Sequence, residues 1–230
     1  PDLDSRLAQL HEATTTRRPR RDLYVLAFDH RRQLEQIAAD AGQPIARIDR
    51  LKGLVADAVE RVAGRVPFGD RLGVIVDDRY GESVLQRMTR AGYWVGRAIE
   101  IPGSRPLEFE PRNHSGLPLL AWPAGHVVKC LVFYHPDDPL ELRLAQEERV
   151  VELWRDTTAL GRELLLEIIA SGRDHPVDDS TIARALRRFY HLGVSPAWWK
   201  LEPPAATAWP QIEAAIMEHD PHCNGVLLLE

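Results

Sequence analysis

Several features that mark particular protein classes are scarce in this sequence or missing from it. Cysteine occurs only twice, as Cys130 and Cys223, and not in a CxxC spacing, so we expect two reduced thiols and no disulfide. No apolar run approaches the ~20 residues that a membrane-spanning helix needs, and the N-terminus lacks the apolar core of a signal peptide. The formal net charge is -5, whereas a nucleic-acid-binding protein usually carries a basic surface. These absences favour a cytoplasmic protein that binds neither membranes nor nucleic acids.

Phosphate-binding loops and metal-ligand clusters are also missing. No GxGxxG and no GxxxxGK[ST] motif follows the first apolar run, which argues against a dinucleotide-binding or P-loop protein. His30 and His135 could be zinc ligands, but the sequence has no HxxxH motif and no Cys/His cluster to complete such a site. We therefore expect neither a metal ion nor another cofactor.

The composition is typical of a globular protein. The chain has 230 residues, of which 44% are hydrophobic and 27% charged, and this is enough for one large domain. Residues 1–21 are charged and include Thr-Thr-Thr followed by an arginine-rich stretch. We interpret them as a short helix and linker that could tether a preceding domain. The main domain is expected over 22–230.

After the linker, short apolar runs alternate regularly with longer amphipathic segments. The amphipathic segments place apolar residues three and four positions apart, as helices do; they span 45–65, 81–91, 140–161, 178–192 and 209–219. Most of the apolar runs are continuous, as in parallel strands covered on both faces; they span 23–29, 72–77, 93–100, 126–134, 164–170, 197–202 and 225–229. Strands that alternate with helices indicate an α/β fold with a parallel sheet.

A parallel β/α barrel fits these elements best. A complete (β/α)8 TIM barrel needs eight units in about 250 residues, whereas we count about seven strands and the sequence stops on the last one. We therefore predict a TIM barrel truncated after about seven strands, without the last helix of unit seven and all of unit eight. Because the first and seventh strands would have unpaired edges, we expect the chain to be marginally stable or inactive.

Polar residues at the ends of the predicted strands are the candidates for catalysis. The C-terminal ends of barrel strands converge on the active site, and this rule selects residues without reference to any family. The selected residues, in chain order, are Asp29, His30, Arg31, Arg32, Asp77, Asp78, Arg79, Arg97, Glu100, Lys129, Tyr134, His135, Glu167, Lys200 and Glu202.

Lys129 and Lys200 are the least expected of these, because lysine is almost never fully buried unless it is paired. At the mouth of a barrel an amine can be partly desolvated beside a second cation, which favours its neutral, nucleophilic form. Glu167 could then move protons while the amine attacks a ketone. A plainer interpretation stays open, in which the lysines reach solvent or pair with Glu167 or Glu202. Asp29 could likewise cap the helix that follows it.

Four motifs in chain order resemble those of tagatose-1,6-bisphosphate aldolases. Val-Val-Lys-Cys-Leu-Val-Phe-Tyr-His-Pro-Asp-Asp-Pro (127–139) resembles the fourth strand of that family, Leu-Leu-Leu-Glu-Ile (164–168) the fifth, and Trp-Lys-Leu-Glu-Pro-Pro (199–204) the sixth. Ala-Phe-Asp-His-Arg (27–31) resembles the first, where the family usually has Asp-Gln-Arg. Together with Glu-Ile-Pro-Gly-Ser-Arg-Pro-Leu (100–107), the set is closer still to the aldolase-like domain fused behind the sugar kinase in bacterial 5-dehydro-2-deoxygluconokinase proteins of inositol catabolism.

The resemblance implies a class I (Schiff-base) aldolase that needs no metal. Lys200 matches the lysine that forms the Schiff base, and Glu167 matches the carboxylate that shuttles protons. Lys129 matches the second lysine, which binds substrate and helps to keep the nucleophile uncharged. Asp29 matches an aspartate that binds substrate hydroxyls and can assist proton transfer. His30 replaces the family's glutamine, which suggests a changed substrate.

The implied reaction is cleavage of 2-deoxy-5-keto-gluconate 6-phosphate to dihydroxyacetone phosphate and malonate semialdehyde. Arg97 is a second candidate for substrate binding beside His30. Barrels bind phosphate in the loops after strands seven and eight, so we can name no phosphate ligand in this chain. The alternative function is a non-catalytic domain that binds a sugar phosphate and regulates an attached kinase. Kinase activity in the chain itself is disfavoured because no nucleotide-phosphate loop is present, and the sequence is compatible with a homo-oligomer.

Overall fold

The computed structural model describes residues 22–110, 116–172 and 175–229, with the backbone alone at 116–118. The N-terminal helix and linker predicted over 1–21 lies outside the described residues. The division of the chain into a linker and a main domain therefore stays a prediction.

Strands and helices alternate through the described ranges. The strands are β1 (Tyr24–Ala27), β2 (Leu72–Val76), β3 (Trp94–Ala98), β4 (Val127–Phe133), β5 (Leu164–Ile169), β6 (Trp198–Leu201) and β7 (Gly225–Leu228). The α-helices are α1 (Arg32–Asp40), α2 (Arg47–Ala63), α3 (Asp78–Arg90), α4 (Gly116–Ala121), α5 (Leu140–Ala159), α6 (Thr181–His191) and α7 (Trp209–His219). Each of these strands lies inside one of the predicted apolar runs.

The helices agree less closely with the sequence pattern than the strands do. The five amphipathic segments correspond to α2, α3, α5, α6 and α7. α3 begins before its predicted start because the Asp77 side chain caps it, accepting a hydrogen bond from the Tyr80 amide at 2.9 Å. α1 was not predicted, although Leu34, Ile37 and Ala38 have helical spacing; the helix has nine residues and buries only Ala38. None of the helices in the described ranges has the length and apolarity to cross a membrane.

All described strands belong to one parallel sheet in the order β1-β2-β3-β4-β5-β6-β7. The sheet is strongly curled, because side chains from distant strands meet inside it. The rings of Trp94 on β3 and Trp198 on β6 lie 6.1 Å apart, and Asp29, just after β1, contacts Lys129 on β4 at 2.8 Å. The prediction of a partial (β/α) TIM barrel with seven parallel strands is confirmed.

Alternate residues of each strand face the barrel interior or the surrounding helices. The inner face has an apolar cluster at its base, formed by Ile75, Trp94, Val127, Leu165, Ala197 and Trp198. Gly96 makes room for it, because a Cβ atom there would lie 2.9 Å from Ile75 and 3.2 Å from Trp94. The outer faces of β4, β5 and β6 pack on the helices in a larger cluster that includes Val128, Leu166 and Trp199. The next inner positions above Val127, Leu165 and Trp198 are therefore 129, 167 and 200.

The two ends of the sheet differ from its middle. Within the described residues β1 pairs only with β2, and β7 pairs only with β6, so a gap separates β1 from β7. Tyr24, Leu26 and Leu228 on these strands are 46%, 48% and 48% exposed. The barrel interior is accessible from this side.

Candidate active site

Lysine is rare in this chain, and all of it is buried. Only Lys52, Lys129 and Lys200 occur among the 29 lysine and arginine residues, and their exposed fractions are 1%, 2% and 6%. A buried ammonium group is unfavourable unless a carboxylate accompanies it. Lys52 pairs with Asp77 between α2 and the end of β2, and the other two lysines share Glu167. Lys129 and Lys200, both candidates by the strand-end rule, are therefore the two lysines that share one carboxylate.

Lys129, Glu167 and Lys200 lie on adjacent strands and meet on the inner face. Glu167 pairs in register with Lys200, whose Nζ donates a hydrogen bond to Glu167 Oε1 at 3.0 Å. Glu167 Oε2 lies 3.0 Å from Lys129 Nζ on the other side. The two lysines thus face the same interior, as the predicted catalytic pair requires. The simpler interpretation of Lys200 as the ion-pair partner of Glu167 is also correct, and the two interpretations are compatible.

Three carboxylates fix Lys129. Its Nζ donates hydrogen bonds to Asp29 Oδ2 at 2.8 Å and Glu100 Oε1 at 3.0 Å, in addition to the ion pair with Glu167. Burial disfavours the ammonium, but the three negative charges outweigh it and raise the pKa of Lys129 well above its ordinary value. Lys129 is therefore a permanent cation at neutral pH.

Asp29 contacts Lys129 and does not cap a helix. The α1 helix that follows it begins without a side-chain cap. Burial raises the pKa of the Asp29 carboxyl, but the charge and hydrogen bond of Lys129, together with the charge of Lys200, lower that pKa to about 2. The helix-cap interpretation is wrong, and the side chain is a carboxylate throughout the physiological pH range.

Glu167 has one oxygen that lacks a hydrogen-bond donor. The residue is buried, and the ion-pair contact of Oε2 with Lys129 does not have hydrogen-bond geometry; no other described residue donates to this atom. Buried polar atoms are nearly always hydrogen-bonded, so an exception beside a cavity needs an explanation. This buried oxygen has an acceptor site that no described residue uses, which suits it to accept a proton.

Glu100 and Arg31 complete the cluster, although they were only strand-end candidates and not predicted site residues. Glu100 Oε1 accepts from Arg31 Nη2 at 3.0 Å as well as from Lys129, and Oε2 accepts from the Leu131 amide at 3.2 Å. Arg31 Nη1 also donates to the Glu100 carbonyl at 2.8 Å. Both side chains are buried. Their place at predicted strand ends was the available signal for a role in the site.

A cavity of about 1000 Å³ opens above this cluster and extends along the gap between β1 and β7. Asp29, Lys129, Glu167 and Lys200 line its inner part. His30 is exposed and borders the same cavity next to Asp29. The structure therefore brings five of the six predicted site residues to one place.

Arg97, the sixth, is not part of this site. Its side chain is on the outer face of β3, where it donates to Asp78 Oδ2 at 2.8 Å and lies 4.2 Å from the centre of the Trp122 ring. It does not line the cavity. The predicted role of Arg97 in substrate binding therefore has no support. The prediction used only the position of the residue near the end of its strand, which does not tell to which face the side chain points.

The described part of the chain contains no group of three or more histidine, cysteine and acidic side chains arranged to hold a metal ion. His135, one of the two candidate zinc ligands, has a structural role: its Nδ1 accepts from the Asp137 amide at 3.1 Å, which leaves Nε2 to donate to the Pro176 carbonyl at 3.3 Å. Cys130 is a buried free thiol, and the Cys223 thiol lies 3.7 Å from the Ala197 carbonyl. The cation at the centre of the carboxylate cluster is the ammonium of Lys129.

Comparison with known proteins identifies a family and a fold. Residues 1–230 match the model of a family described as an uncharacterized protein conserved in bacteria, DUF2090. No curated protein matches the sequence.

Three solved structures are similar to the chain. Cgl0159 from Corynebacterium glutamicum is 13% identical with a TM-score of 0.56, over 98% of this chain and 85% of that one. A Schiff-base-forming fructose-1,6-bisphosphate aldolase is 12% identical with a TM-score of 0.51, over 96% and 91%. An archaeal fructose-1,6-bisphosphate aldolase, with its catalytic lysine covalently bound to the carbinolamine intermediate, is 14% identical with a TM-score of 0.54, over 96% and 79%. At these identities the likeness shows the fold alone, a parallel β/α barrel.

Proposed function

We propose that this chain, which belongs to the bacterial family DUF2090, is a class I aldolase in which Lys200 forms a Schiff base with the ketone of a phosphorylated keto-sugar acid. The observation that carries the proposal is the buried Glu167, which lies between Lys129 and Lys200 with one oxygen left without a hydrogen-bond donor from the described residues. The aldolase-like fold agrees with the proposal, but a fold alone does not define a reaction, so the argument rests on the site.

The two lysines of the cluster differ in what they can do. Lys129 is held by three carboxylates and stays charged, so its nitrogen has no lone pair to offer. Lys200 has one carboxylate partner among the described residues and borders the cavity. A nucleophilic amine needs a nearby base that takes its proton, and Glu167 is in hydrogen-bond contact with it at 3.0 Å. We therefore assign Lys200 as the nucleophile.

Glu167 is assigned as the proton shuttle. It takes one proton of the Lys200 ammonium, and the resulting amine attacks the ketone carbon. A second proton passes from the nitrogen to the alkoxide oxygen to give the carbinolamine, and Glu167 then returns the first proton to the carbinolamine hydroxyl, which leaves as water to give the iminium. Asp29 is less suited to this task, because a carboxyl with a pKa of about 2 stays ionised. Its carboxylate can instead accept a hydrogen bond from a substrate hydroxyl.

Carbon–carbon cleavage then follows from the iminium. A base removes the proton from the hydroxyl on the carbon β to the imine, and the bond between the α and β carbons breaks. Its electron pair moves into the iminium to form an enamine, while the β carbon leaves as an aldehyde. Protonation of the enamine and hydrolysis by water restore Lys200 and release the ketone product. Glu167, with its Oε2 free to accept, can serve these transfers in turn.

For the substrate we propose 2-deoxy-5-keto-gluconate 6-phosphate, cleaved to dihydroxyacetone phosphate and malonate semialdehyde in inositol catabolism. The motifs at 27–31, 100–107 and 199–204 support this, because they resemble the aldolase-like domain that follows a sugar kinase in 5-dehydro-2-deoxygluconokinase proteins. His30 stands at the cavity where the sugar-bisphosphate aldolases have glutamine, and we propose that it contacts the part of the substrate that differs. We also propose that the protein acts in the cytoplasm.

Borohydride trapping with dihydroxyacetone phosphate tests the mechanism. The full chain is incubated with the ketone, reduced, digested and mapped by mass spectrometry. Because only three lysines occur, each can be followed separately, and we expect one adduct, on Lys200. Lys200→Arg is the matched control, because it keeps a positive charge beside Glu167 but cannot form an imine. Glu167→Gln should slow turnover by about 10²–10⁴-fold, the usual contribution of a general acid–base.

Two results would contradict the proposal in different ways. An adduct on Lys52 or Lys129, or no adduct at all on a chain that circular dichroism shows to be folded, would reject the assigned mechanism. A Lys200 adduct combined with no release of malonate semialdehyde from the proposed substrate would reject the substrate and leave the Schiff-base chemistry in place.

A further inference from the structure

Glu100 and Arg31 form an outer layer around the three central residues Lys129, Glu167 and Lys200. Glu100 does not contact Glu167 or Lys200, but its Oε1 holds Lys129 at 3.0 Å. Arg31 in turn donates hydrogen bonds to the side-chain carboxylate of Glu100 and to the backbone carbonyl of Glu100. An unbroken series of ion pairs therefore runs from Arg31 to Lys200, and every member of it is buried.

The buried charges of the cluster balance when Lys200 carries its proton; Glu110, which contacts Arg31 at 3.1 Å, is partly exposed and lies outside this count. Three carboxylates (Asp29, Glu100 and Glu167) face three cations (Arg31, Lys129 and Lys200) when Lys200 carries its proton. Loss of that proton to solvent leaves one negative charge in excess in a buried site. In a medium of low dielectric, adding or removing one more charge nearby changes the stability of the ammonium form appreciably.

We propose that Glu100 and Arg31 are positioning residues that act through Lys129 to set the pH at which Lys200 becomes a free amine. This inference rests on the proposed function, in which the free amine of Lys200 attacks the ketone. Both residues border the cavity, and the role assigned to them is exerted through Lys129, without a contact with the substrate. Removing the charge of Glu100 should favour the free amine, and removing the charge of Arg31 should favour the ammonium.

The other charged groups that face Lys200 could also influence its protonation, and they are few among the described residues. β5 presents Glu167, β4 presents Lys129, and the end of β1 presents Asp29 and, at the cavity edge, His30. On β7 the residue in register with Lys200 is the apolar Leu227. Glu202, two residues further along, is engaged by the amides of Ala170 and Ser171.

The test measures the reactivity of each lysine with acetic anhydride as a function of pH, without any aldolase chemistry. Peptide mapping follows Lys52, Lys129 and Lys200 separately, and the labelling midpoint of Lys200 is compared between variants. We expect Glu100→Gln to move the Lys200 midpoint down by about one pH unit, which is roughly a tenfold change in free amine at a given pH. Arg31→Gln should move it up by a similar amount, and the double variant should return it close to the wild-type value.

Matched variants separate charge from packing. Glu100→Asp shortens the side chain but keeps its charge, so it should leave the midpoint near that of the wild type, whereas Glu100→Gln keeps the shape and loses the charge. Glu110→Gln is a milder variant in case buried substitutions prevent folding, because this carboxylate is partly exposed and contacts Arg31 at 3.1 Å. It should move the Lys200 midpoint in the same direction as Glu100→Gln, by less, since solvent screens the charge.

The inference is overturned if the Lys200 midpoint stays unchanged in the folded charge variants, or if Glu100→Gln and Arg31→Gln move it in the same direction. Shifts of the Lys200 midpoint in opposite directions support it. If Glu100 and Arg31 had only a structural role, both variants would be less stable, but the sign of the lost charge would not decide the direction of the shift. Opposite shifts in a protein that traps no ketone would reject the aldolase and retain the positioning role. The two proposals can therefore fail separately.

Discussion

The middle of the sheet and its two ends are built in different ways. On β4, β5 and β6 nearly every side chain is buried on both faces, and the ionised ones are paired. On β1 and β7 each strand has one strand neighbour among the described residues, and apolar side chains such as Leu26 and Leu228 are about half exposed. A cluster of buried charges needs fixed partners, and the middle of the sheet supplies them. The ends supply an entrance to the cavity.

Asp29 and Lys129 join the two regions. Asp29 follows β1 at the open end of the sheet, and its carboxylate reaches Lys129 on β4 at 2.8 Å. The ion pair therefore links an exposed strand to the closed side across the interior. This comparison predicts that substitutions in the cluster will have large effects and that similar substitutions at the ends will have small ones.

Lys129→Met is expected to have the largest effect. It leaves Asp29, Glu100 and Glu167 buried around an apolar side chain, and breaking a buried ion pair in this way usually costs about 3–5 kcal/mol. Urea unfolding at neutral pH measures the loss. The loss should shrink in acid, where the carboxylates can take up protons. If the free energy of unfolding of the variant were less than ~1 kcal/mol below that of the wild type, the cluster could not be the rigid centre of the fold.

Leu166→Ala and Leu26→Ala compare the same chemical change in the two regions. Leu166 is fully buried between β5 and the helices, so its truncation should cost about 2–5 kcal/mol. Leu26 is 48% exposed, and its truncation should cost roughly 1 kcal/mol or less. Denaturant midpoints with unchanged m-values give both numbers. Equal losses would mean that the exposed end is covered in solution.

Acid titration of stability tests the link between the regions. The pKa of Asp29 is about 2 in the folded chain and about 3.8 when unperturbed. Its contribution is therefore fully present above pH ~4 and is lost as the pH falls through ~2. The stability difference between the wild type and Asp29→Asn should shrink by about 2 kcal/mol over that window. A difference independent of pH would show that Asp29 and Lys129 are not paired in solution.

Much of the architecture could be predicted because it depends on local patterns. Continuous apolar runs predicted every strand of the described sheet, since buried parallel strands have no polar face. α1 was missed because its apolar stripe, Leu34, Ile37 and Ala38, is short and packs little against the rest of the chain, with Ala38 its only buried residue. Lys129, Glu167, Lys200 and Asp29 could be selected as candidates by their place at strand ends and by the resemblance of four motifs.

The errors at the site come from side-chain direction and long-range contact. Alternate residues along β3 and its extension point to the barrel interior; these are Trp94, Gly96, Ala98 and Glu100. The side chain of Arg97, between two of them, points to the outer face. Counting alternate positions from an apolar inner residue would have favoured Glu100 over Arg97. The contact of Glu100 with Arg31, 69 positions away, depends on the curl of the sheet and is not visible in local spacing.

Arg71→Ala should have the smallest effect of those compared. Arg71 lies at the open end of the sheet, where it contacts Asp22 at 3.1 Å and lies 5.4 Å from the centre of the Tyr24 ring. It is a charged group paired with a carboxylate, as Lys129 is, but Asp22 is largely exposed and water screens the pair. Exposed ion pairs contribute about 0–1 kcal/mol, so the unfolding midpoint should move little and the difference should fade in high salt. A loss as large as that of Lys129→Met would mean that burial does not decide the strength of these ion pairs, and the contrast between the two regions would lose its physical basis.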